Sequence, residues 1–82
     1  MMKDQERLKN VFSTALEIPI SEVENDLKYN EDPRWDSTAH MILIAQLEAE
    51  FEVMLDIDDI IDMSSFLKAQ QILKKYNSNL SL

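Results

Sequence analysis

We predict an all-α fold for this 82-residue chain, a four-helix bundle with three main helices, a short third helix and a long first loop. Apolar residues recur with the helical period in several segments, and no segment shows the strict alternation typical of a strand. A chain of this length has room for one domain with one modest core, so we expect residues 1–82 to form a single unit. Hydrophobic residues make up 45% of it, which excludes compositional disorder.

The first predicted helix covers residues 3–16. Five apolar residues spaced three, four, seven and eight positions apart form one helical stripe: Leu8, Val11, Phe12, Ala15 and Leu16. A stripe of this kind faces the core of a small domain. The helix therefore packs through this side and leaves its polar side to solvent.

A long loop is predicted over residues 17–36, because no period persists there and two prolines interrupt the segment. We expect a brief turn at residues 21–23, and Leu27, Tyr29 and Trp35 as anchors that pin the loop to the body. Loops of this length are uncommon in compact domains and are usually functional. We therefore expect this loop to help form a functional surface.

The second helix is predicted over residues 37–51, where apolar residues are dense and helix breakers are absent. Asp36 is its N-cap candidate, since a carboxylate there can accept a hydrogen bond from the first unpaired amides. At about 100° per residue, one face collects the inward side chains. They are His40, Leu43, Ile44, Leu47 and Phe51. We therefore interpret His40 as a packed or hydrogen-bonded core histidine.

A short third helix is predicted over residues 58–62. Asp58 and Asp59 would lie near its positive N-terminal end, which favours acidic side chains. We expect Ile60 and Ile61 to point inward, toward the core.

The fourth helix is predicted over residues 65–76, with Ser64 or Ser65 as its N-cap. Its inward residues have the helical spacing: Phe66, Ala69, Ile72, Leu73 and Tyr76. No pattern continues beyond it, so we expect the tail over residues 77–82 to be frayed.

Composition excludes several classes of function. Sixteen acidic residues against eight basic ones give a net charge of −8, which disfavours nucleic acid and anionic membranes and favours partners with basic surfaces. The absence of cysteine excludes disulfides and thiolate metal sites, and the absence of glycine excludes glycine-rich phosphate loops. The acidic run at 56–62 lacks the glycine and glutamate of a calcium loop, so we predict no metal site. We expect a soluble, cytoplasmic monomer.

The segment 35–41 is the strongest candidate for chemistry. It places Ser37 in the first turn of a helix, directly after an exposed loop, where a large partner can reach the hydroxyl. A phosphodiester on that oxygen would lie near the helix amides and the positive end of the dipole. An ordinary capping serine would have the same local sequence. Asp36, Ser37 and His40 do not form a hydrolase triad, because they diverge along one helix and no oxyanion site is available.

Ser37 and its surroundings resemble the acyl carrier protein family. The resemblance covers about residues 8–73 and includes the length, the helix order and the long first loop. The attachment motif of that family is Asp-Ser followed by a large aliphatic residue. In this chain Asp36-Ser37 is followed by Thr38, which departs from the motif. Trp35 and His40 are more similar to stand-alone carriers of specialised pathways than to the housekeeping fatty-acid carrier.

The resemblance implies a carrier that performs no catalysis. It implies a 4′-phosphopantetheine arm transferred from coenzyme A to Ser37 by a phosphopantetheinyl transferase, and an acyl or aminoacyl thioester on that arm. An acyl- or aminoacyl-loading enzyme and acyl-transferring or condensing enzymes would be its further partners, as in fatty acid or polyketide biosynthesis. The alternative is an unmodified, carrier-like docking module.

A partner-binding surface is implied on the second and third helices. Acids at Glu48, Asp58, Asp59 and Asp62 fall where the family meets basic patches. In addition, a less polar face lies beside Ser37. It is formed by Met41, Ile42, Ala45 and Ala49, and we expect Thr38 to contact partners as well. This face is more apolar than the family pattern, so we expect partners to be held there by apolar contact more than by charge.

Overall fold

The computed structural model describes residues 3–82; residues 1 and 2 of the predicted domain lie outside the described residues. Within that range the chain forms four α-helices and no strand, which confirms the predicted all-α fold. The helices are α1 (Asp4–Leu16), α2 (Ser37–Phe51), α3 (Ile57–Asp62) and α4 (Phe66–Tyr76). A single turn of 3₁₀ helix, Ile20–Glu22, lies in the long first loop.

Two main helices take the faces that their sequences predict. The inward stripe predicted for α1 and the inward set predicted for α2 are buried in full. In the structure α2 has the bounds that the sequence predicts, and α1 begins one residue later. The remaining surface of α2 is mixed, and it includes the exposed hydrophobic side chains of Met41 and Ile42 beside polar ones.

Side chains cap two helix N-termini. The carboxylate of Asp36 accepts a hydrogen bond from Ala39 N at 2.9 Å at the start of α2. The hydroxyl of Ser65 accepts one from Lys68 N at 3.0 Å at the start of α4, so Ser65 rather than Ser64 is the cap. Each bond satisfies an amide that the helix itself leaves without a partner.

The core is organised around aromatic rings contributed by three parts of the chain. Phe12 of α1 makes edge-to-face contacts with Trp35 of the loop and with Phe66 of α4, at centroid distances of 5.3 and 5.0 Å. All three side chains are essentially inaccessible to solvent. Trp35 is thereby an anchor of the first loop, and Leu27 is a second buried one, as the sequence predicts.

Backbone bonds also hold the first loop. Lys28 and Ser65 form an isolated antiparallel bridge. On either side of it, Tyr29 N donates to Ser64 O at 2.9 Å, and Phe66 N donates to Leu27 O at 3.0 Å. The loop is therefore attached to the segment that leads into α4, and it presents the start of α2 from a fixed position.

The orientation of α3 differs from the prediction. Ile61, expected to point inward, is 75% exposed, and Ile60 is only partly buried. The one buried residue of α3 is Asp59. Six residues contain fewer than two turns, so their apolar spacing is too short to define a face, and contacts with α4 decide the orientation instead.

The tail also differs from the predicted frayed end. Leu80 is buried in the core, and Ser81 N donates to Asp4 Oδ2 at 2.9 Å. Lys74 Nζ donates to Leu82 O at 3.4 Å. Burial of one leucine and a bond to the first turn of α1 hold these residues against the body, although they form no helix.

Candidate functional site

Ser37 is the first residue of α2, and its side chain is exposed. Its hydroxyl makes no hydrogen bond with any other described residue. The oxygen is therefore both accessible and unengaged, which is the condition for covalent modification by another enzyme.

The local backbone supports negative charge at this position. The side chain of Asp36 bonds Ala39 N, and the backbone oxygen of Asp36 accepts from His40 N at 2.9 Å. Asp36 itself is extended, with φ −99° and ψ −173°, so the chain turns into the helix at Ser37. A phosphate ester on Ser37 would lie at the positive end of the dipole of a 15-residue helix.

His40 lies one turn further along α2 and is buried. Trp35 Nε1 donates to His40 Nδ1 at 2.9 Å, and His40 Nε2 lies 2.8 Å from Ile60 O. Because an indole N–H can only donate, Nδ1 accepts, and the proton on Nε2 is donated to Ile60 O. Both ring nitrogens are engaged, as the interpretation of a hydrogen-bonded core histidine predicts, and neither faces Ser37 as a base.

An exposed apolar face extends along α2 from Ser37. We define this apolar face as Thr38, Met41, Ile42 and Ala45, all of which are exposed. Met41 is 61% and Ile42 46% accessible, although both are large and hydrophobic. The structure thus places these four predicted residues on one continuous side of α2, separate from its buried stripe, and Ala49, also predicted there, is exposed one turn further along.

The acidic residues predicted to bind partners divide into two pairs. Asp58 and Asp62 are exposed, and Asp62 forms an ion pair with Lys68 at 3.3 Å. Glu48 and Asp59 are used inside the chain. Glu48 is only half-exposed, and its Oε2 accepts from Leu55 N at 3.0 Å in the connection between α2 and α3.

Asp59 lies at the contact between α3 and α4. It is 8% exposed and accepts hydrogen bonds from Lys75 Nζ at 2.6 Å and from the Tyr76 hydroxyl at 2.5 Å. These donors, Lys75 first, lower the pKa of the Asp59 carboxyl below its ordinary value of 3.8. Asp59 therefore joins two helices, and its carboxylate is not part of the exposed acidic surface.

Sequence reasoning missed two exposed residues next to these acids. Ile57 and Ile61 of α3 are 72% and 75% accessible. They are four residues apart and so share one side of the helix. Their spacing could have indicated that side, but the equally apolar Ile60 beside them left the choice open.

Two further findings bear on the classes of function. Among residues 3–82, no three His, Asp or Glu side chains are placed to hold a metal ion. Over the same range, none of the helices combines the length and the apolar character needed to cross a membrane.

Comparison with models of known protein families and with curated proteins finds no match to this chain. Function must therefore be inferred from the motif and from the geometry around Ser37.

Proposed function

We propose that this chain is an acyl carrier protein whose attachment residue is Ser37. The observation that carries the proposal is the unbonded, exposed hydroxyl of Ser37 at the start of α2, within the Asp36-Ser37 pair and after an anchored loop. The chain itself performs no catalysis under this proposal. It carries a substrate and presents it to other enzymes.

Attachment of 4′-phosphopantetheine by a phosphopantetheinyl transferase is a substitution at phosphorus. Ser37 Oγ forms a bond to the phosphorus of coenzyme A that bears the pantetheine, the pyrophosphate P–O bond breaks, and adenosine 3′,5′-bisphosphate leaves. The proton of Oγ passes to a base of the transferase, because both ring nitrogens of His40 are already bonded. When attached, the arm supplies a terminal thiol that carries an acyl or aminoacyl group as a thioester.

The chain's own residues support the modified state. The N-terminal amides and dipole of α2 favour the phosphodiester. Asp36 keeps the first turn closed through its bond to Ala39 N. The chain contains no cysteine, so no thiol of its own competes for the acyl group.

Partners would dock beside Ser37. The apolar face (Thr38, Met41, Ile42 and Ala45) offers exposed hydrophobic surface, and the exposed acids Asp58 and Asp62 offer charge to a basic rim. The transferase, an acyl- or aminoacyl-loading enzyme and acyl-transferring or condensing enzymes would use this surface in turn. Trp35 and His40 favour a specialised pathway over housekeeping fatty acid biosynthesis.

The second candidate is a carrier-like docking module that is never modified. Thr38 favours it, because the family motif has a large aliphatic residue after the serine. The same exposed face would then bind a stable partner without any covalent step.

Intact-protein mass spectrometry tests the proposal. After incubation with coenzyme A and a broad-specificity phosphopantetheinyl transferase, we expect the wild type to gain the mass of one phosphopantetheine. Ser37→Ala should gain nothing, whereas Ser64→Ala, which removes an exposed hydroxyl elsewhere, should gain the same mass as the wild type. An unchanged wild-type mass, in a tube where a known carrier is modified, would contradict the carrier function and favour the docking module.

A further inference from the structure

The short helix α3 is held to the rest of the chain by polar contacts and by Ile60, which packs against the core. Its one buried residue is a carboxylate, Asp59, and its isoleucines at 57 and 61 are exposed. On the side of α4, Lys75 and Tyr76 bond that carboxylate, and the Tyr76 hydroxyl also accepts from Asp56 N at 2.9 Å. Hydrogen bonds have directional geometry, so these contacts determine where α3 lies.

On the side of α2, the contact is the imidazole of His40. Ile60 O lies in the last turn of α3, where carbonyl oxygens have no partner within the helix. His40 Nε2 donates to this oxygen at 2.8 Å and so caps the end of α3 from a neighbouring helix.

The other nitrogen of the same ring connects to the loop before Ser37. Trp35 Nε1 donates to His40 Nδ1 at 2.9 Å, and the two rings stack with centroids 6.0 Å apart. Trp35 is fully buried and is separated from Ser37 by Asp36 alone. Three groups therefore form one hydrogen-bonded relay from the loop before Ser37 to α3: the Trp35 indole, the His40 imidazole and Ile60 O.

We propose that His40 is a positioning residue that holds α3 and the Ser37 loop in one fixed relation. A phosphopantetheinyl transferase that contacts both α2 and α3 then binds a preformed surface, and its binding free energy is not reduced by the cost of ordering α3. This rests on the proposed carrier function. Loss of the relay should weaken docking of the transferase, and thus raise KM, while the attacking hydroxyl and kcat stay unchanged.

Two amide variants, each with a polar atom in the place of one ring nitrogen, separate the two bonds that His40 makes. In His40→Asn, the amide oxygen takes the place of Nδ1 and still accepts from Trp35, but the donor to Ile60 O is lost. In His40→Gln, the amide nitrogen takes the place of Nε2 and still donates to Ile60 O, but the acceptor for Trp35 is lost. Each variant removes one buried bond and keeps the other.

Three measurements on the full chain test the relay. Hydrogen exchange at the Ile60 amide, which donates to Asp56 O at 3.0 Å, reports on α3. Emission of Trp35, the single tryptophan of the chain, reports on the indole bond. Transferase kinetics report on docking. We expect His40→Asn to speed exchange at Ile60 about fivefold or more, the factor that one buried hydrogen bond supports, with α1 amides unchanged.

We expect His40→Gln to change the Trp35 emission and to leave exchange at Ile60 near the wild-type rate. Both variants should raise the transferase KM about fivefold and keep kcat. The proposed role of His40 would be wrong if the Ile60 amide of His40→Asn exchanged at the wild-type rate, or if both variants kept the wild-type KM. The carrier function would still stand in either case. If the wild type gained no phosphopantetheine, both the carrier function and the role of His40 in transferase docking would be wrong. Hydrogen exchange at the Ile60 amide would still decide whether His40 caps α3.

Discussion

Asp59 carries a charged side chain of a type that usually lies on the surface, but here it is buried and joins α3 to α4. Its carboxylate bonds Lys75 Nζ at 2.6 Å and the Tyr76 hydroxyl, and these donors lower its pKa below the ordinary 3.8. A carboxylate with a lowered pKa in the folded state stabilises that state while it is ionised. Asp59 therefore contributes stability above the ordinary carboxyl pKa, and the contribution is lost as the pH falls through the lower, folded-state pKa.

We expect Asp59→Asn to lower the thermal midpoint at pH 7, because the amide cannot replace the charged partner of Lys75. The difference from the wild type should shrink as the pH falls below about 3.8 and through the lower pKa of the folded state, where the wild-type carboxylate is protonated and loses its charge. Thermal unfolding followed by circular dichroism between pH 2 and pH 7 would measure it. Asp58→Asn, the same change at an exposed neighbour, should have little effect. Equal midpoints for Asp59→Asn and the wild type at pH 7 would contradict this role.

The ends of α1 and α2 share an unusual backbone feature. Glu17 and Glu52, which follow the two helices, have φ of 54° and 53°, in the left-handed region. Glycine favours this conformation because it has no Cβ, yet the chain contains no glycine. An L-residue in this region costs about 1–2 kcal/mol, so each helix end carries a local strain.

Replacing either residue by glycine should stabilise the protein. We expect Glu17→Gly and Glu52→Gly each to raise the free energy of unfolding by about 0.5–1 kcal/mol, the relief of strain less the entropy that glycine loses on folding. Urea titration would measure the change. Glu17→Ala and Glu52→Ala remove the same charge and keep the Cβ, so they are the matched controls. If the alanine variants gained as much as the glycine variants, the effect would be electrostatic rather than conformational.

Over the whole molecule, large hydrophobic side chains remain exposed on α2 and on α3 of a strongly acidic chain. The net charge is −8, and yet the side of α2 next to Ser37 carries Met41 and Ile42, 61% and 46% exposed. Neither side chain belongs to the buried core, so their packing within the chain does not account for them. We attribute them to binding of the enzymes that act at Ser37, in accordance with the proposed carrier function.

We expect Ile42→Glu to raise the KM of the phosphopantetheinyl transferase about tenfold, because an anchor of an interface is replaced by a charge that must be desolvated. Helicity and thermal midpoint should stay near the wild type, since the side chain is half-exposed. Leu67→Glu is the matched control: Leu67 is 45% exposed but lies in the first turn of α4, where an acid is tolerated. Equal KM values for Ile42→Glu and Leu67→Glu would show that the apolar face does not bind the transferase.

Much of the fold and the location of the candidate site follow from local sequence. The stripes of α1 and α2 contain enough turns for the helical period to define a face, and Asp36 and Ser65 mark helix starts through bonds to amides three residues away. The position of Ser37 at the beginning of α2 follows from the same local rules. These features depend on residues within a few positions of each other, and so the sequence by itself determined them.

Only the tertiary structure decided the rest. The orientation of α3, the burial of Asp59 and the docking of Leu80 each depend on contacts with residues distant in sequence. The two partners of His40, Trp35 and Ile60 O, come from the first loop and from α3. A six-residue helix has too few turns for its period to select a face, and polar side chains take whichever partner the packed chain brings near. For these residues the physical cause is the assembled structure, which local spacing does not encode.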